Sequence, residues 1–223
     1  MKALLYSLLA STLLLTSCKK DNYDPPASVL TGRVVYEGQP VGVRSNGVQL
    51  ELWQRGYQLF TKIPVMVDQN GSFSASLFDG DYKLVRLRGN GPWVDNTDTI
   101  NVAVRGTVQV DVPVQPYYVL RNETFQKSGT LLNASCQVGQ VAAGKAVEYV
   151  TLLVGTTQFV DVTNNAGRQD RNGTAVADLT RPITFSLTTP AAVTSKGYAY
   201  VRIGVKTVGV AELLYTPVQK ITL

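Results

Sequence analysis

The chain has 223 residues, 44% hydrophobic and 17% charged, which is enough apolar material for a core and too much for a wholly disordered chain. It carries no histidine and two cysteines, which excludes a histidine-based triad, a histidine proton shuttle and a Cys/His zinc cluster. The net charge of +5 is spread over single basic residues without a clustered stripe, so no nucleic-acid partner is expected.

The chain opens on Lys2 and an apolar stretch, 3–15, too short to span a bilayer comfortably. Residues 1–17 therefore read as a secretory leader. Leu15-Thr16-Ser17-Cys18 resembles a bacterial lipobox. That resemblance implies cleavage before Cys18 and lipidation of its thiol; an ordinary leader that happens to contain a cysteine is the plainer alternative. Residues 18–27 are polar and contain Pro25-Pro26, and read as a tether. With Cys18 lipidated, Cys136 is left alone and has no disulfide partner; it is expected as a small buried strand residue.

Strand signals then follow at short intervals. The first set covers 30–36, 48–53, 65–68, 73–78, 82–87, 99–104 and 107–114, punctuated by Gly, Pro and Asn-Gly turns. Val48, Leu50 and Leu52 alternate with Gln49 and Glu51, and Val108, Val110 and Val112 with Gln109 and Asp111, so each strand has a core face and a polar face. Asn70-Gly71 is expected to close a tight hairpin, because it supplies the positive φ angles such turns need. Pro113-Val114-Gln115-Pro116 interrupts the pattern, which places one domain over 28–115 and a second over 117–223. The second set is expected at 118–120, 129–138, 148–154, 158–163, 183–187, 198–206, 211–216 and 218–223. Residues 164–181 are polar and read as a long exposed loop with a helical turn near 176–179. The fold class is all-β: two consecutive β-sandwiches, the second of Ig or fibronectin type by strand number alone. The first part, 18–118, balances its charges; the second, 119–223, has ten basic and six acidic residues.

Two tryptophans carry the strongest hints of a binding surface. Trp53 ends the strand 48–54 on the parity of Gln49 and Glu51, so a large aromatic lies on the polar face. Indole faces stack on sugar rings and are enriched at binding surfaces; the alternative is a bend that turns Trp53 onto the domain junction. Trp93 sits in a Gly/Pro/Asn loop with Asn90, Asp95 and Asn96. It reads either as a ligand platform or as a ring tucked over the sandwich end. Tyr57 follows Trp53 and is placed to join either cluster. The paired acids Asp79/Asp81 and Asp95/Asp98 fit turn chemistry, and Ser195-Lys196 are adjacent residues that rarely face each other. No catalytic constellation, metal site or cofactor site is legible, and the chain is read as a non-enzyme.

A family resemblance adds to this. Thr31-Gly32-Arg33-Val34-Val35, Gly47-Val48-Gln49-Leu50, Asp68-Gln69-Asn70-Gly71-Ser72-Phe73 and Leu77-Phe78-Asp79-Gly80-Asp81-Tyr82-Lys83-Leu84 occur in the order of a carboxypeptidase-regulatory-like, or transthyretin-like, domain. The stretch 30–112 resembles that domain, which implies a sandwich serving as a spacer or binding module. The whole chain is similar to a Bacteroidota lipoprotein family of unknown function, often found beside outer-membrane importers of the starch-utilisation type. That resemblance implies a lipid-anchored outer-membrane protein, exposed at the cell surface, that captures glycan or assists a polysaccharide importer. The alternative is an accessory subunit that binds importer proteins and has no glycan site of its own.

Overall fold

The computed structural model describes residues 24–56 and 58–223. Cys18, the lipobox and most of the tether lie outside these residues, as does Tyr57. Among the described residues no helix is long and apolar enough to cross a membrane.

The chain is all-β, in two consecutive sandwiches. The first contains β1 (Ser28–Tyr36), β2 (Gln39–Pro40), β3 (Gln49–Gln54), β4 (Lys62–Met66), β5 (Ser72–Leu77), β6 (Gly80–Arg86), β7 (Ile100–Val104) and β8 (Thr107–Pro113). In one sheet β1 is central, parallel to β8 on one edge and antiparallel to β2 and β5, end to end, on the other. The other sheet is antiparallel in the order β4-β3-β6-β7. Leu30, Val34, Phe73 and Val112 from the first sheet and Leu50, Leu52, Leu84 and Val104 from the second bury into one core. A Cβ at Gly32 would lie 1.9 Å from the Val110 carbonyl oxygen. Only glycine lets β1 carry Phe73 on one side and the parallel β8 on the other.

Asn70-Gly71 forms the expected tight turn. Gly71 has φ +82°, and the Asp68 carboxylate accepts the Asn70 and Ser72 N–H groups at 2.8 and 2.9 Å. The turn does not join paired strands, however: β4 pairs β3 and β5 pairs β1, so it carries the chain from one sheet to the other. Local turn chemistry sets the reversal, while core packing decides which sheet each arm joins.

The second sandwich contains β9 (Tyr118–Ser128), β10 (Leu131–Gln140), β11 (Val147–Gly155), β12 (Gly167–Asn172), β13 (Ile183–Thr188), β14 (Tyr198–Thr207), β15 (Leu214–Tyr215) and β16 (Gln219–Thr222). One sheet runs β13-β10-β9; the other runs β12-β11-β14, with β15 and β16 end to end on the far edge of β14.

Three expectations are corrected here. The strand expected at 158–163 is absent, because the Asp161 carboxylate gathers the Thr163 N–H, the Thr163 hydroxyl and the Asn164 N–H and folds the segment into a turn. The loop expected at 164–181 holds strand β12, followed by a 3-10 turn at Gly173–Val176 rather than a helical turn at 176–179. Strand β12 is polar on both faces. Its Gln169 side chain donates to and accepts from the Ser186 backbone at 2.9 Å, and Arg171 Nε donates to the Thr184 carbonyl at 2.9 Å. These bonds stitch β12 across to β13, so hydrogen bonds take the place of hydrophobic alternation.

The two halves share one continuous hydrophobic core. At the junction the Tyr215 N–H donates to the Gly42 carbonyl at 2.9 Å, and Arg44 forms a two-pronged ion pair with Glu212 at 2.6 and 3.2 Å. Arg202, 0% exposed, donates to the carbonyls of Val43 and Gln69 in the first half and of Val160 and Thr216 in the second. Its guanidinium lies 4.2 Å from the Tyr215 ring centroid.

Candidate functional site

The outer face of the β4-β3-β6-β7 sheet is built by alternation. Leu50 and Leu52 point into the core, so Glu51 and Trp53 take the opposite face. The register aligns Lys62, Trp53, Lys83 and Asn101 as neighbours in one row across four strands. No bend carries Trp53 to the domain junction.

Glu51 fixes the ring. It is only 7% exposed, and its carboxylate accepts the Trp53 indole N–H at 3.2 Å and the Lys62 ammonium at 2.7 Å. Charge-assisted bonds of this kind are strong and directional. Phe60, 54% exposed, lies beside Trp53 with ring centroids 5.0 Å apart and planes at 42°. The half-buried Trp53 and exposed Phe60 form one wall of a groove of about 570 Å3, continued by Arg55, Lys83, Thr99 and Asn101. Aromatic rings beside amide, hydroxyl and cationic side chains suit a ligand that is apolar on one face and polar at its edges.

The other predicted residues are placed elsewhere. Trp93 is 4% exposed, and a Cβ at Gly91 would lie 2.2 Å from its ring. Its loop is tied to the interdomain connection by the Val94 N–H to the Gln115 carbonyl at 2.9 Å and the Tyr117 N–H to the Pro92 carbonyl at 3.2 Å. The ring fills the hole that Gly91 leaves, so the reading of Trp93 as a ligand platform is corrected to that of a buried pin. Asn90 serves the same loop: its Oδ1 accepts the Gln49 N–H and its Nδ2 donates to the Gly47 carbonyl at 3.3 Å. Asp95 accepts the Gly89 N–H at 2.7 Å and lies 3.8 Å from the Arg88 guanidinium. Of the predicted ligand residues that are described, Trp53 lines the groove on the outer sheet face, and Asp95 borders a separate cleft with Arg86, Asn96 and Asp98.

The acids flanking Gly80 are likewise engaged. The Ser28 hydroxyl donates to Asp79 and holds its carboxyl below the usual carboxylate range, while Asp81 pairs with Arg105 at 3.2 Å. The described residues bring no three metal-ligating side chains together. Phe60, Glu51, Lys83 and Asn101 escaped the sequence reading. Lys83 and Asn101 were legible by parity once the register with Trp53 was known. Phe60 follows an irregular segment and shows no periodicity.

Comparison with known proteins accounts for both halves. The profile described as "Protein of unknown function (DUF3823) N-terminal domain" matches residues 28–115, and "Domain of unknown function (DUF3823_C)" matches residues 118–220. A DUF3823 family protein from Bacteroides ovatus is 38% identical, with TM-score 0.82 over 88% of this chain and 99% of its own. One from Parabacteroides merdae is 35% identical, with TM-score 0.81 over 89% and 100%. A Bacteroides uniformis structure described as a "putative carbohydrate binding protein" shares the fold at 18% identity, with TM-score 0.70 over 89% and 100%. No curated protein matches the chain. On the match of both profiles and on whole-length similarity to its solved members, this chain belongs to the DUF3823 family.

Proposed function

We propose that this protein is a non-catalytic, lipid-anchored protein of the outer-membrane surface that captures glycan for a polysaccharide import system, on the Trp53 face. The observation that carries the reading is the Trp53 ring, held in plane by Glu51, paired with Phe60 and open to a groove with polar edges. Sugar rings present C–H faces to such aromatics and hydroxyls to Asn101, Thr99 and Lys83. The description of the Bacteroides uniformis relative agrees with this reading. Membrane attachment would come from Cys18, through the lipobox.

The test is native affinity electrophoresis of residues 21–223 through gels containing different polysaccharides. Wild type is expected to be retarded by at least one polysaccharide, and Trp53→Ala to migrate as in the empty gel. Phe60→Ala is expected to weaken retardation roughly fivefold to tenfold, the scale of one aromatic contact of 1–1.5 kcal/mol. Retardation unchanged in Trp53→Ala would remove the site.

A second reading has its own observation. Leu59 at 76%, Phe78 at 48% and Ile63 at 36% exposure gather with Pro26 around a cleft at one end of the first sandwich. Exposed apolar groups so close together favour protein contact. A stable outer-membrane partner lost on Leu59→Ser and Phe78→Ser, with no glycan bound by wild type, would make the chain an accessory subunit instead.

A further inference from the structure

We infer that the Trp53 groove takes an anionic glycan, one carrying uronate carboxylates or sulfate esters. This rests on the Trp53 reading above and narrows it to a substrate class. The inference comes from where the charges of the groove are spent. Two acidic side chains border it, and both are occupied. Glu51 is held by Lys62 at 2.7 Å and by the Trp53 indole, and Asp81 by Arg105 at 3.2 Å. Two cations line the same groove, Arg55 and Lys83. Both are exposed, and neither meets an acidic partner among the described residues.

The placement of Lys83 is specific. It is the direct cross-strand neighbour of Trp53 on one side and of Asn101 on the other. Directly opposed residues have Cβ atoms about 5 Å apart, and such pairs commonly join opposite charges. Here the Trp53 ring has Lys83 on one side and Lys62 on the other, and the single acid between them, Glu51, is already spent on Lys62 and the ring. An acid group on a sugar stacked against Trp53 would supply the missing counter-charge. Asn101 and Thr99 would remain for hydroxyls. Each exposed charge contact contributes roughly threefold to fivefold in affinity at low salt and is screened as salt rises.

The experiment measures affinity of the full chain in nonionic detergent for two matched pairs of probes. These are polygalacturonate and its methyl ester, and chondroitin sulfate and its desulfated, carboxyl-reduced form. The variants are Trp53→Ala, Arg55→Gln/Lys83→Gln, and Lys127→Gln/Lys196→Gln, the last removing the same charge from exposed positions of the second sandwich. The expected result is binding of an anionic member about tenfold or more tighter than its neutral partner. Trp53→Ala should abolish it, Arg55→Gln/Lys83→Gln should weaken it about tenfold and flatten its salt dependence, and the remote pair should leave it within twofold. Equal binding of charged and neutral members through Trp53 overturns the inference and leaves the glycan reading standing. Anion binding that ignores Trp53→Ala and falls equally in the remote pair reduces the effect to general charge attraction and overturns it. Binding of none of the four probes overturns it too. The neutral polysaccharide gels then decide the glycan reading separately.

Discussion

Glu51 and Cys136 show how a single burial changes what a side chain does. Glu51 is an acid on the polar face of a strand, yet Trp53 and Lys62 cover it and turn it into an anchor for an aromatic ring. Cys136 is 1% exposed, and burial pushes its thiol up to about 12, with Glu123 adding to the shift. A folded-state value raised above the unfolded one stabilises the fold relative to higher pH, and that contribution is lost as pH rises. The unfolded thiol loses its proton from about 9 upward while the folded one keeps it, so stability falls between about 9 and about 12. The expected slope is about 1.4 kcal/mol per pH unit. Urea titrations at pH 8, 9 and 10 should show it, and Cys136→Ala should flatten it. The same thiol should resist an aromatic disulfide reagent at pH 8 until urea unfolds the chain.

At the scale of elements, two strands follow opposite rules. Strand β1 is specified by apolar alternation and by Gly32, whose missing Cβ admits the Val110 carbonyl oxygen. Gly32→Ala is expected to cost roughly 3 kcal/mol or more, because backbone on the parallel β8 has to move. Equilibrium urea unfolding measures this, and Gly139→Ala, where a Cβ would meet only a Val119 methyl at 3.2 Å, serves as the milder comparison. Strand β12 has no apolar alternation: its backbone pairs with β11, and Gln169 and Arg171 reach across to the backbone of β13 in the facing sheet. Such a strand is invisible to a hydrophobic pattern, since its partners are carbonyls about fifteen residues away along the chain.

For the whole molecule, Arg202 ties the two sandwiches together at the junction, beside the shared core and the Arg44–Glu212 pair. Burial lowers its guanidinium to about 10, which still leaves it charged at neutral pH. Four carbonyls drawn from both halves and the Tyr215 ring compensate that burial. Arg202→Met leaves those carbonyls without a donor and is expected to cost about 3 kcal/mol or more. With the shared core, wild type is expected to unfold in a single calorimetric transition. Arg202→Met should lower its midpoint or split it in two. A wild-type trace already split would show that the junction does not couple the halves.

Much of this architecture was legible in the residues alone. Strict alternation in 48–53, 73–78 and 107–114 determined strands with one buried face, and Pro113 to Pro116 marked the break between the halves. The Asn70-Gly71 motif follows from a turn requirement that one chain segment carries by itself, whereas Gly32 is needed for the distant Val110 and Phe73. Tertiary structure decided the rest. It assigned the arms of the Asn70-Gly71 turn to different sheets and paired the polar β12 with β11. It also separated the two tryptophans, whose local sequences both admit exposure. Trp93 is buried because Gly91 and the 115–117 backbone make room for it, and Trp53 stays half-open because its outward face borders the groove beside Phe60, Lys62 and Lys83. Periodicity reports which face a residue takes; what lies across that face depends on strands distant in sequence, and only the fold brings them there.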